Sequence, residues 1–91
     1  MNTDSIVTKS PDHMESDLGA DLVLMTLDDG HFFSLAGTGR RAWELIGAGT
    51  RIGELADRLT CEYEVDRATC ERELMTLIGD LAGRGLVDVA D

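Results

Sequence analysis

The stretch Leu22-Val23-Leu24-Met25-Thr26-Leu27-Asp28-Asp29-Gly30-His31-Phe32-Phe33-Ser34-Leu35 decides the fold class. Val23, Met25 and Leu27 fall on one face of an extended strand and Leu24 and Thr26 on the other, following the two-residue period of a β-strand. Asp28-Asp29-Gly30 is a tight-turn sequence, because Asp and Gly tolerate the positive φ that a two-residue hairpin loop needs. His31 to Leu35 then reads as the return strand of a hairpin. Upstream, Ser5 to Lys9 and His13 to Glu15 supply a first strand. Pro11 interrupts it and cannot donate to a ladder, so that strand is expected to be short or on an edge. Residues 1–4 are expected to be flexible.

From residue 36 the apolar period becomes helical. Ala42, Trp43, Leu45 and Ile46 predict a helix starting near Thr38 and ended by Gly47 and Gly49. Thr50 is positioned to cap a second helix, in which Ile52, Leu55, Ala56 and Leu59 keep the i, i+3, i+4, i+7 spacing. Residues 60–65 read as a connector. Asp66 then caps a third and longest helix with the stripe Cys70, Leu74, Leu77, Ile78 and Leu81, stopped by Gly83 and Gly85. Leu86 to Val89 reads as a short closing strand or a packed tail. Trp43 is assigned to the core, and the Tyr63 ring is placed under the third helix. Strands followed by three helices make an α+β domain rather than a βαβ repeat.

Ninety-one residues, 43% of them apolar and 29% charged, correspond to one globular domain spanning the chain. A chain of this size buries about 60–65% of its unfolded surface, which leaves little room for an enclosed catalytic cavity. Eighteen Asp and Glu against eight Lys and Arg give a net charge of −10, which repels phosphate backbones and anionic lipid. Nucleic acid and membrane are therefore disfavoured as partners. The opening MNTDSIVTK has neither the basic start nor the apolar stretch of a secretory signal, so the expectation is a soluble, cytoplasmic protein. Cys61 and Cys70 read as reduced thiols, with no metal site.

No nucleophile, base and orienting group come together in the pattern, so no catalytic residues are assigned. Gly37-Thr38-Gly39-Arg40-Arg41 lacks the Lys followed by Ser or Thr of a Walker loop. The two helices after Thr50 invite a helix-turn-helix reading, but Arg67, Arg72 and Arg84 are outnumbered by Asp66, Glu71, Glu73 and Asp80 where phosphate contacts would be needed. What remains is a sheet with an edge. If His31 to Leu35 forms that edge with helix three beside it, an extended peptide can add as another strand and drop alternate side chains into the groove between them.

Leu22-Val23-Leu24-Met25, Gly30-His31-Phe32-Phe33-Ser34-Leu35, Thr38-Gly39, Ala42-Trp43-Glu44-Leu45-Ile46, the run from Thr50 to Ala56, Tyr63 to Asp66 and Leu77 to Val87 resemble, in order and spacing, PqqD-like proteins. These are the recognition elements of ribosomally made, modified peptides. The resemblance implies a winged-helix-like fold, with a three-stranded antiparallel sheet followed by three helices. It implies non-catalytic binding of a precursor leader peptide as a strand beside strand three and against helix three, for presentation to a modifying enzyme or leader peptidase, with no cofactor. On this chain the implied site is His31, Phe32, Phe33, Ser34 and Leu35 from the strand, with Arg67, Cys70, Glu71, Leu74, Met75 and Ile78 from helix three. The family commonly has Asn after the Leu of strand three where this chain has Ala36, which removes the usual cap before helix one and leaves Thr38 as its substitute. The lasso-peptide type is favoured. The alternatives are a pyrroloquinoline quinone-type chaperone for a radical-SAM enzyme and a winged-helix DNA-binding regulator. Monomer and homodimer both remain open.

Overall fold

A computed structural model describes residues 1–27 and 30–91. Asp28 and Asp29 of the expected tight turn lie outside the described residues. The elements run β1 (Ile6–Lys9), β2 (His13–Asp17), β3 (Leu22–Thr26), β4 (Phe32–Leu35), α1 (Gly37–Ile46), β5 (Thr50–Arg51), α2 (Ile52–Glu62), α3 (Arg67–Gly83) and β6 (Val87–Ala90).

The α+β class, the three helices and the three-stranded antiparallel hairpin sheet are present, and a second three-stranded sheet stands beside the first. In the hairpin sheet β3 lies between β2 and β4, with Leu24 opposite Glu15 on one side and Phe33 on the other. In the second sheet β1 lies between β5 and β6, with Val7 opposite Thr50 and Val89. The single interrupted first strand expected from the sequence is thus two strands in two different sheets. Pro11 sits in the crossing between them, where no ladder needs its missing N–H. The closing segment is a strand, β6, paired antiparallel with β1.

Trp43 bolts the two sheets together. Its ring is 1% exposed, meets the His13 ring edge-on at 5.3 Å from the start of β2, and carries the Lys9 ammonium from the end of β1 at 4.6 Å. Around it the core gathers Val7 and Val87 from one sheet, Leu22, Leu24 and Leu35 from the other, and the inward stripes of all three helices. On α3 that stripe is Cys70, Leu74, Ile78 and Leu81, with Leu77 half-buried at its margin.

The helix ends differ from expectation in an instructive way. Asp66 caps α3 as predicted, its carboxylate accepting the Thr69 N–H at 3.1 Å. Helix α1 begins at Gly37 after an extended Ala36 with no side-chain cap, so Thr38 lies inside the helix. Gly37 turns this corner at φ +57, a conformation that costs glycine little. Thr50 belongs to β5, and its hydroxyl reaches Glu54 at 3.2 Å instead of capping α2. The free N–H groups of Ile52 and Gly53 are taken by the carbonyls of Ser5 (3.1 Å) and Thr3 (2.8 Å). The opening residues, read as flexible, therefore make hydrogen bonds here, and the Ser5 hydroxyl bonds Asp91 at the far end of the chain. Helix α2 also runs to Glu62, farther than expected, and Tyr63 is its C-cap at 38% exposure, outside the buried core.

Truncating the bolt should cost the most. Trp43→Ala is expected to destabilise the domain by about 3–5 kcal/mol, which lowers the melting midpoint by about 12 °C or more. Thermal unfolding followed by circular dichroism checks this.

Candidate functional site

One border of the hairpin sheet is open. Strand β4 pairs only with β3 among the described residues, because the chain's tail pairs with β1 in the other sheet. The N–H and C=O groups of β4 that point away from β3 have no ladder to join. Register sorts the side chains of this edge. Phe33 and Leu35 oppose Leu24 and Leu22 and turn inward, while Phe32 and Ser34 oppose Met25 and Val23 and turn outward.

The C-terminal half of α3 comes up to this border at two places. At one end Gly39 of α1 brings the two together, since a Cβ built there would lie 3.7 Å from Leu35 Cδ2 and 3.9 Å from Leu77 Cδ2. At the other end the Arg84 guanidinium sits 4.8 Å from the centre of the Phe33 ring. Beside Gly39 opens a cavity of about 210 Å³, lined by Thr38, Gly39 and Ala42 of α1, Leu59 of α2, Val65, and Cys70, Glu73, Leu74 and Leu77 of α3. Its wall is apolar apart from the Thr38 hydroxyl, the Cys70 thiol and the Glu73 carboxylate. Such a space accepts one sizeable apolar side chain.

The residues expected from the sequence divide between two flanks of α3. Phe32, Phe33, Ser34 and Leu35 form the open strand, and His31 precedes it, its carbonyl accepting the Thr26 N–H. Cys70 and Leu74 line the cavity. Ile78 is 1% exposed in the core. Arg67, Glu71 and Met75 lie on the flank turned toward α2: Arg67 bonds Asp57 and the Gly53 carbonyl, and Glu71 closes on Arg67 at 2.6 Å. Met75 is half-buried on the same flank. The flank that reaches β4 carries Leu77, with Arg84 just past the end of the helix, while Glu73 stands on the cavity wall; none of the three is among the expected site residues. Leu77 was already on the apolar stripe; what periodicity lacked was which side of that stripe faces the strand. Val65 and Leu59 join the cavity only through tertiary packing and left no local signal.

Charged side chains brace this frame. Arg40 ties α1 to the β2–β3 turn through Asp17 and the Gly19 carbonyl, both at 2.7 Å. Its hydrogen bonds hold the Asp17 carboxylate below the usual range. Arg41 does the same to Glu62 across α1 and α2. Burial alone would push Glu15 up. The hydrogen bond to His13, the nearby Trp43 indole N–H, which makes no full hydrogen bond, and the charges of Lys9 and His13 outweigh that and leave it lowered. Burial pushes the Cys70 thiol up, so it stays protonated at neutral pH. No cluster of three or more metal-ligating side chains occurs among the described residues, and no helix there is long and apolar enough to cross a membrane.

An α+β domain with an uncovered strand border and an apolar cavity beside it is a scaffold for strand addition. The family profile described as Coenzyme PQQ synthesis protein D (PqqD) matches residues 21–87, and the chain belongs to that family. Among solved structures, one titled TbiB1 in complex with the TbiA(beta) leader peptide is similar at 32% identity and a TM-score of 0.81, covering 92% of this chain and 99% of that one. Another, a lasso peptide synthetase B1 complexed with the leader peptide, shares the fold at 22% identity and a TM-score of 0.73, over 90% and 96% of the two chains. A search of curated proteins gives no match.

Two measurements check the chemistry of this frame. Exposed Cys61 should react with a thiol reagent at pH 8 quickly and buried Cys70 only after unfolding, giving one fast equivalent and one slow. Asp17, Glu15 and Glu62 have depressed folded values, so their stabilisation is complete above the ordinary values of 3.8 and 4.5 and is lost as the pH falls through the folded ones. The melting midpoint should be level above about pH 5 and fall below about pH 4.

Proposed function

We propose that this chain binds the leader segment of a ribosomally made precursor peptide, adding it as a fourth strand along β4, and holds it for the enzyme that modifies the peptide or removes the leader. The observation that carries this reading is the open β4 border flanked by the Gly39 cavity. Backbone groups of Phe32 to Leu35 fix the peptide's register, and an apolar leader side chain enters between Ala42, Leu74 and Leu77. The peptide follows the Leu77 flank of α3, which leaves Arg67, Glu71, Met75 and Ile78 outside its path. Arg84 and Glu73 stand at opposite ends of that path and give it an electrical direction.

The energies suffice for a working affinity. Burying one Leu-sized side chain contributes about 1.5–3 kcal/mol, and each main-chain hydrogen bond about 0.5–1.5 kcal/mol net. Several such bonds with one or two anchors reach the roughly −8 kcal/mol of micromolar binding after the cost of ordering the peptide. Kinship with TbiB1 at 32% identity supports the lasso-peptide pathway over a pyrroloquinoline quinone role. The role is binding rather than catalysis, and the protonated, buried Cys70 accords with that. It is exercised in the cytoplasm, where a ribosomal peptide is first met.

Titrating a synthetic leader peptide into labelled protein should shift the amides of residues 32–35 and of Glu73, Leu77 and Arg84, and leave 67 and 71 still. Gly39→Leu places a side chain in the cavity at a position where a Cβ already fits. It should weaken the peptide at least tenfold while the melting midpoint holds or rises, because glycine is a poor helix residue. Unchanged affinity in that variant would sink the cavity as the anchor.

A further inference from the structure

Arg84 is a cation at the strand border with no anion of its own. Arg40, Arg41, Arg58 and Arg67 each reach a carboxylate side chain within the domain. Among the described residues Arg84 reaches none. Its guanidinium lies 4.8 Å from the centre of the Phe33 ring, and Asp80, one turn earlier, takes the Arg84 backbone N–H on its carbonyl at 3.2 Å. An aromatic face answers the charge of a guanidinium but gives its N–H groups no acceptor. The residue is exposed, so those donors are open to a partner arriving from solution.

Register decides what meets them. Side chains directly across a ladder point to the same face, and alternate residues of a strand lie about 7 Å apart. A peptide added to β4 therefore turns two of its residues inward, one opposite Leu35 and one opposite Phe33. Leu35 lies at the Gly39 and Leu77 end, so the first of these enters the cavity. Phe33 carries Arg84, so the second meets the guanidinium. The peptide residue between them lies opposite Ser34 and turns outward, away from both.

Charge narrows the class of the second residue. A Lys or Arg there would face Arg84, and like charges in contact are penalised. An apolar residue would cover the guanidinium and leave its donors unpaired. A carboxylate answers the charge and accepts two N–H groups at once. Elsewhere on the path the net charge of −10, with Glu73 on the cavity wall, opposes an acidic residue, so the preference is local. We infer that Arg84 is the specificity-determining residue of this border, and that it selects leaders carrying Asp or Glu two residues from the apolar side chain seated in the cavity. The inference rests on the strand-addition reading above and adds a sequence requirement to it.

The test uses the full chain and a synthetic peptide of its own precursor's leader, in single-position variants, with affinity read by isothermal titration. The cavity anchor is the apolar leader residue whose replacement by Ala weakens binding to the unaltered chain and has little further effect on Gly39→Leu. Replacing the Asp or Glu two residues away by Asn or Gln should weaken binding about fivefold or more to the unaltered chain, and less than about twofold to Arg84→Gln. That loss should shrink as salt is raised. Arg84→Lys keeps the charge without the two-pronged donor and should fall between the unaltered chain and Arg84→Gln. Arg84→Glu should bind the unaltered leader about tenfold more weakly, and a leader with Lys at the acidic position should recover most of the loss, which a packing role for Arg84 would not produce. A leader with no acidic residue at that spacing, an equal loss on the unaltered chain and Arg84→Gln, or no recovery by the Lys leader overturns the inference. If the amides of residues 32–35 stay still as the peptide is added, strand addition has failed and this inference falls with it. If they move and the carboxylate effects are absent, the Arg84 assignment alone is wrong.

Discussion

The pairing of β6 with β1 is the constraint on which the rest of the molecule depends. A short domain with a three-stranded hairpin sheet has one obvious use for its C-terminal segment, which is to cover the free border of that sheet. Here the segment goes to the other sheet, where four residue pairs from Ile6 opposite Ala90 to Lys9 opposite Val87 hold it. The turn after α3 aims it there, through the Leu86 N–H on the Leu81 carbonyl and the Ser10 N–H on the Leu86 carbonyl. With the tail committed, β4 keeps its outer hydrogen-bonding groups, and Leu77 of α3 and Arg84 just past its end flank the border instead of sealing it.

Much of this was legible in the residues. Alternation from Leu22 to Leu35 marked the hairpin, and the stripe from Cys70 to Leu81 with Asp66 before it marked α3. What could not be read locally depended on partners far away in sequence. The division of the first strand between two sheets is settled by where β6 and β5 pair. The cap of α2 comes from the carbonyls of Thr3 and Ser5, nearly fifty residues upstream, so Thr50 was free for another role. For the proposed site, the strand half follows from the alternation, because a strand has only two faces. The helix half does not, because an apolar stripe has two margins and the sequence does not say which one meets β4. Leu35 and Leu77 both approach Gly39, which sets the Leu77 margin toward β4, and that approach joins three separate elements.

The charge distribution follows from the same geometry. Arg40, Arg41 and Arg67 are engaged within the domain, with Asp17, Glu62 and Asp57 as their respective partners on neighbouring elements. Exposed ion pairs of this kind contribute little to stability individually, but they orient α1 and α3 against what lies beside them. They also occupy cations that would otherwise offset the acidic surface. The stretch from Ser10 to Gly39 holds no Lys or Arg of its own, so the carboxylate of Asp17 is met from outside it, by Arg40 of α1.

Trp43 is the only tryptophan in the chain, and it is fixed between Lys9 and His13 where the sheets meet, without lining the cavity. Its fluorescence is thus a built-in optical gauge of that joint. The emission registers whether the two halves are still locked together and is largely blind to what occupies the strand border, so integrity and occupancy can be read in the same cuvette on separate channels.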